Sequence, residues 1–254
     1  MTSILSDLEL IRSEILKKGY YVYKNLASSQ DCISLRNIIL KKIQKSPKYN
    51  IRINSQTIPD YTHKRSHDET HRTTRYYSFF HNFSKWTDVE KKILIKGLDI
   101  RNQVELPLVK KNQTYKEKKS ILQDYNIFTK YEDLTGMLPP HRDWQSKLKY
   151  PLLQFNLILS EQNVDFTLGE FIFEDYNLNK IKIHEDLKIR MGDALLFDKY
   201  LLHSVDITKN GTSNIGRCSL LIGARAYKTS YFLEKKFLFK EKLKNFFNIP
   251  PKKL

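Results

Sequence analysis

Two kinds of hydrophobic pattern divide the chain, and the change comes near its middle. Between residues 5 and 18, Leu5, Leu8, Leu10, Ile11, Ile15 and Leu16 recur at near-helical intervals until Gly19 breaks the run. Residues 20–26 then alternate as a strand does. Ser28 or Ser29, with Asp31 in the first turn, opens a second helix whose Cys32, Leu35, Ile38, Ile39 and Ile43 share one face as far as about Gln44. Residues 45–74 are polar and irregular, with Pro47 and Pro59, and predict a long loop or lid. Residues 76–98, with Trp86, Val89, Ile93 and Leu94, predict a further helix.

Past residue 119 the pattern shortens. Runs at 120–131, 151–160, 169–174, 180–184, 194–197, 201–207 and 217–227 are of β type, separated by turn residues such as Asn163, Asn177, Gly192 and the pair Asn210 and Gly211. Seven short strands with no helices between them predict an antiparallel barrel or jelly roll, so the expected fold class is mainly β with flanking helices, α+β. One domain is expected over 1–254: a helical flank at 1–118 with its lid at 45–74, a jelly-roll core at 119–230, and an amphipathic helix at 231–254. In that last segment Phe232, Leu233, Phe237, Leu238, Leu243, Phe246 and Phe247 interleave with lysines. Such a helix packs on its own domain, forms a homodimer contact, or lies on a membrane surface.

Composition narrows the class. At 254 residues and 40% hydrophobic the chain can bury a sizeable core. Residues 1–23 mix charged with apolar positions, and no later stretch is long enough to span a bilayer, which predicts a soluble, cytoplasmic protein with no transmembrane segment. Two distant cysteines, Cys32 and Cys218, do not make a disulfide scaffold. The net charge of +16, from 44 Lys and Arg against 28 Asp and Glu, suits nucleic acid, anionic lipid or an acidic small molecule, though a biased coding composition accounts for it better. Lysine is scattered among Asn and Ile and not gathered into a patch, which favours a phosphorylated or carboxylated small molecule over nucleic acid.

The candidate chemistry lies in three places. His141 and Asp143 are two apart, so on an extended strand both point to the same side and can converge on one ion. His203 stands sixty residues on, in the string from Met191 to Val205, where a Gly192-Asp193 turn starts one strand and the histidine sits on the next. Two histidines and a carboxylate suit divalent iron with open positions. Arg217 and Ser219 also share a face, and a guanidinium fork with a hydroxyl beside it matches the distal carboxylate of 2-oxoglutarate. The bland alternative, two buried histidines and an exposed aspartate without a metal, stays open. Arg225, eight residues after Arg217, faces the same side by strand parity or lies on the rim; Trp144 and the lid are candidates for the wall of a substrate pocket. His63, His67 and His71 recur every four residues, a spacing that could stack imidazoles as a metal site on a helix, but Thr62, Ser66, Thr70 and Thr73 are poor helix formers, so these read as solvated loop histidines or one substrate contact.

These residues resemble the iron(II)- and 2-oxoglutarate-dependent dioxygenases and, more narrowly, the phytanoyl-CoA dioxygenase-like group. The likeness covers most of the chain: besides the triad and Arg217, residues 15–26 and the helix start at Ser28 are similar to that group's N-terminal strand and helix, and residues 123–130 to its strand before the metal motif. The resemblance implies a double-stranded β-helix, a cupin-like core, holding Fe(II) on His141, Asp143 and His203. It implies 2-oxoglutarate and O2 as co-substrates, with Tyr125, Lys130 and Asn156 as contacts additional to Arg217 and Ser219. It implies hydroxylation of a small molecule, anionic or carrier-bound. Asp143 stands where halogenating relatives have a small residue, and Gly223 where nucleic-acid demethylases have a second arginine. Two departures stand out: residues 168–173 are closer to prolyl-hydroxylase-like relatives, and Val205 replaces a serine common in the group. A nucleic-acid-modifying oxygenase and a non-catalytic jelly-roll binding protein remain alternative readings.

Overall fold

The computed structural model describes residues 2–48, 60–66, 72–110, 122–143 and 153–227. Helix α1 (Thr2–Lys18) buries Leu8, Ile11 and Ile15, three positions spaced by three and four, while Leu10 and Leu16 face solvent. Gly19 ends it at φ 86°, a conformation suited to glycine, and strand β1 (Tyr20–Tyr23) leaves directly. Helix α2 (Ser29–Lys45) is capped by the Ser28 hydroxyl, which accepts from the Asp31 N–H at 3.1 Å.

Strands β2 (Tyr61–Ser66) and β3 (Arg72–Phe79) form an antiparallel hairpin, followed by a 3-10 turn at Phe80–Lys85. Helix α3 (Asp88–Lys110) then starts on a capping box: the Glu90 carboxylate accepts from the Thr87 N–H at 2.7 Å, and the Glu90 N–H reaches back to the Thr87 hydroxyl at 3.4 Å. The remaining strands are β4 (Leu122–Tyr131), β5 (Leu138–His141), β6 (Leu153–Ile158), β7 (Phe166–Leu168), β8 (Phe171–Glu174), β9 (Lys180–Lys182), β10 (Ala194–Asp198), β11 (His203–Val205), β12 (Lys209–Asn210) and β13 (Cys218–Tyr227).

These pair, always antiparallel, into a seven-stranded sheet β1-β10-β6-β13-β4-β3-β2, a four-stranded sheet β5-β11-β8-β9, and a short β12-β7 ladder. Side chains alternate across the large sheet, and each face has its own core. On β10, Ala194 and Leu196 join Ile11, Leu35 and Leu94 of the helices; Leu195 and Phe197 point the other way, onto Phe171, Phe173 and Val205 of the small sheet. The fold is thus three layers, helices on the large sheet on the small sheet. Arg36 of α2 locks the helical side, its Nη1 pairing with Asp165 at 2.7 Å and donating to the Leu159 carbonyl at 2.9 Å. Cys32 and Cys218 are buried free thiols, both pushed up to about 12 by burial. No described helix is long and apolar enough to cross a membrane.

The main correction concerns residues 45–98. The expected helix over 76–98 begins only at Asp88, because Tyr76 to Phe79 belong to β3. A run of threonines and aromatics pairs with β2 on one side and β4 on the other, and two ladders outweigh the weak helical spacing. The expected lid is likewise part hairpin, with Lys48 bridging to Thr62. Residues 49–59 and 67–71, with His67 and His71, lie outside the described residues, as do Trp144 and the expected helix at 231–254.

Candidate metal centre

The small sheet brings the two histidines together. His141 is the last residue of β5 and His203 the first of β11, and antiparallel pairing sets them directly opposite, with ring centroids 4.3 Å apart. The chain past β5 is held by the Asp143 N–H donating to the Lys199 carbonyl at 3.2 Å. Asp143 Oδ1 then stands 3.6 Å from His141 Nε2, and one ligand atom from each of the three residues lies within 4.8 Å of the others. His203 is buried against Phe171 and Phe197, whereas His141 and Asp143 are about one-third exposed, 33% and 34%, so the cluster opens on one side.

Hydrogen bonds fix which nitrogen each ring offers. His141 Nδ1 lies 2.8 Å from the Pro139 carbonyl, and His203 Nδ1 lies 2.8 Å from the Leu201 carbonyl. A carbonyl only accepts, so Nδ1 carries the proton and both Nε2 lone pairs are left for an ion. Burial holds the His203 imidazole below its ordinary value, more than the Asp143 charge raises it, with His141 and Arg75 adding to the lowering. For Asp143, burial pulls upward, but its contact with His141 and the charges of His203, His141 and Lys199 outweigh that and hold the carboxyl below the usual range. Neutral imidazole and ionised carboxylate are the ligating forms. Gln154 on β6 donates its side-chain amide to Asp143 Oδ2, a contact that nothing in the local sequence announces.

Arg217 shares the Phe171 ring with His203 as a neighbour. It is 2% exposed, its guanidinium carbon is 5.0 Å from the Tyr131 ring and 6.0 Å from Phe171, and Nε, Nη1 and Nη2 are all buried without a hydrogen-bond partner. A buried cation left this way is costly unless an anion arrives to pair with it, so Arg217 suits a carboxylate. Ser219 follows on the same face, since the intervening Cys218 and the next residue Leu220 belong to the helical side. Asn156 and Gln154 share that inner face by alternation with Phe155 and Leu157. Tyr125 is also inward, stacked on Tyr77 with centroids 6.0 Å apart.

One expected contact stands elsewhere, and for a second the backbone register departs from the expected parity. Lys130 pairs with Cys218 on the helical face of the sheet, one residue out of phase with the inward Thr129 and Tyr131. At Arg225, parity counted from Arg217 fails, because the register slips between Leu221 and Ala224 and sets Arg225 opposite Asp124. Gly223 at that slip has φ 63°, and its N–H donates to the Asn126 side chain at 3.0 Å. His63 is on β2, not on a helix or loop. Also unforeseen is the pair Glu170 and His184: the carboxylate accepts from the His184 N–H at 2.8 Å and from Nδ1 at 2.9 Å. Burial pulls the Glu170 carboxyl upward, but these bonds and the nearby charges of His184 and Arg217 hold it below its ordinary value.

The arrangement can bind one divalent cation on N, N and O donors with an anion beside it. No protein-family model and no curated protein sequence matches the chain. Solved structures do. A prolyl-4-hydroxylase from Pseudomonas putida superposes with TM-score 0.55 at 12% identity, over 87% of this chain and 99% of that one. A prolyl hydroxylase from Trichoplax adhaerens, solved with a hypoxia-inducible-factor peptide fragment, gives 0.56 at 11%, over 90% and 93%. The non-heme alpha-ketoglutarate-dependent carbocyclase SnoK of nogalamycin biosynthesis gives 0.52 at 10%, over 91% and 90%. At these identities what is shared is the fold.

Proposed function

We propose that the chain is an Fe(II)- and 2-oxoglutarate-dependent oxygenase that hydroxylates a small molecule, and that its two facing sheets are a double-stranded β-helix. The observation that carries this reading is Arg217, a buried guanidinium with three unpartnered nitrogens on the inner face that also carries Gln154, the hydrogen-bond partner of Asp143. His141, Asp143 and His203 would hold the metal, and Arg217 with Ser219 the far carboxylate of 2-oxoglutarate. A ferrous ion with 2-oxoglutarate and dioxygen supplies the oxidation of a substrate C–H bond, with succinate and carbon dioxide as co-products.

The chain's own part is positional and electrostatic. The Pro139 and Leu201 carbonyls keep both histidines in the ligating tautomer, and Gln154 occupies one oxygen of Asp143, leaving the other that would bind the metal. Phe171 and Phe197 screen His203 from water. Retention of a carboxylate at Asp143 favours hydroxylation over halogenation. Within the superfamily, residues 15–26 argue for the phytanoyl-CoA dioxygenase-like group, while residues 168–173, which run from the end of β7 into β8, argue for prolyl-hydroxylase-like relatives.

Anaerobic titration of the protein with Fe(II) and 2-oxoglutarate tests the reading. A weak visible charge-transfer band is expected, absent in His141→Ala and His203→Ala, with succinate formed once oxygen is admitted. No band in the unaltered protein and no succinate with any substrate panel would overturn it.

A further inference from the structure

The inner face of the large sheet does not end at Arg217. Cross-strand pairing carries one row of side chains outward from Ser219 on β13 to Thr129 on β4, Arg75 on β3 and His63 on β2. Directly opposite residues share a face. Thr129 is therefore inward with Ser219, and Arg75 and His63 follow; Tyr76, the next residue after Arg75, packs on the helical side, as alternation requires. Arg75 thus stands two strands, roughly 10 Å, from Ser219 along a single row.

The hairpin that carries it is well pinned. Asp60 accepts from the Tyr76 hydroxyl at 3.2 Å, the Phe79 N–H at 3.0 Å and the Asn82 amide at 2.9 Å. On the inner side Tyr61 and Tyr77 stack at 4.8 Å and 11°, with Phe79 and Tyr125 continuing the wall. These rings are buried, whereas Arg75 and His63 keep partial exposure. Arg75 Nε is buried without a hydrogen-bond partner. An inward arginine on a braced strand, with an unpaired donor and in one row with Thr129 and Ser219, is arranged as an anion receptor.

We propose that Arg75 binds an anionic group, a carboxylate or a phosphate, on the primary substrate, and so selects the class of molecule presented to the metal centre. This rests on the oxygenase reading, in which Arg217 is taken by the co-substrate and leaves Arg75 for the substrate. Arg75 is a positioning and specificity residue: it anchors the end of the molecule remote from the carbon that reacts. The stacked rings fix the strand that carries it.

The test uses the full-length protein loaded with Mn(II) and saturating 2-oxoglutarate, titrated calorimetrically with inorganic phosphate, with acetate, and with glycerol as a neutral control. Saturable binding of phosphate or acetate and none of glycerol is expected, and the preferred anion names the substrate's group. Arg75→Gln should weaken that binding about tenfold or more, and Arg75→Lys, which keeps the charge and loses the fork, less so. In both variants 2-oxoglutarate binding should match that of the unaltered protein. The proposal is overturned if neither anion binds the loaded protein, if binding is the same in Arg75→Gln, if added 2-oxoglutarate displaces the anion from a site it shares, or if Arg75→Gln weakens 2-oxoglutarate instead. Failure of the oxygenase reading shows separately, as no 2-oxoglutarate binding to the unaltered protein with metal present.

Discussion

Two buried arginines lie on opposite sides of the large sheet, and they are treated in opposite ways. Arg36, reaching in from α2, is 4% exposed and satisfied through Nη1 by Asp165 and the Leu159 carbonyl. Arg217, on the inner face, is 2% exposed and has no partner on any of its three nitrogens. The first is a tie between helix and strand loop, made through Nη1 within the folded chain although its Nε is buried without a hydrogen-bond partner. The second finds no hydrogen-bond partner among the described residues. A protein keeps a costly cation of that kind where a ligand offsets the cost, and so the helical face of the sheet holds the fold while the inner face carries the candidate site.

The comparison breaks most sharply at Arg36. Arg36→Ala leaves the Asp165 carboxylate buried without its cation, held by the Glu161 N–H at 2.9 Å and the Ser213 hydroxyl at 2.6 Å, and chemical denaturation should show a loss of about 3–5 kcal/mol with the candidate metal ligands untouched; a loss below about 1 kcal/mol would mean the tie is idle. Arg217→Met should do the reverse. It relieves an unpaired charge, so stability should hold or rise, while 2-oxoglutarate affinity measured by calorimetry falls about a hundredfold, the worth of a charge-assisted pair. Next comes Gln154→Leu, which leaves Asp143 ionised but unaimed, and metal affinity should drop about tenfold, the lower end for such supporting groups, with little change in melting temperature.

The smallest effect is on acid stability. Glu170 has its carboxyl held below the ordinary 4.5 in the fold. Its contribution is therefore fully present above that value and lost as pH falls through the lowered one. In Glu170→Gln the stability profile below pH 4.5 should be flatter than in the unaltered chain. An unchanged acid limb would show that the His184 contact adds nothing.

How much of this the sequence carried depended on what kind of constraint each residue obeys. A metal centre demands particular side chains at particular separations, so His141, Asp143, His203 and Arg217 stood out, and the structure gathers the first three within 4.8 Å. Gln154 was silent because a glutamine on a strand looks the same whether it faces solvent or a carboxylate; only the pairing of β6 decides. Lys130 is a question of phase, one residue from the inward Thr129 and Tyr131. Arg225 shows how a single bulge at Gly223 undoes an argument from alternation. In β2 and β3 the strands carry polar residues on both faces, His63 and Arg75 inward and Thr62 and Thr74 outward, so no apolar alternation marked them and residues up to 74 read as a loop. The Thr87 and Glu90 box, by contrast, was legible and would have moved the start of α3 to its true place.

The most direct test of the central claim is an anomalous-scattering map from crystals grown with Mn(II) and N-oxalylglycine, a 2-oxoglutarate analogue. One metal peak is expected, bound by His141 Nε2, His203 Nε2 and a single oxygen of Asp143, with the analogue's far carboxylate on Arg217. A map with no peak among those three residues, or with the carboxylate seated away from Arg217, would contradict the account.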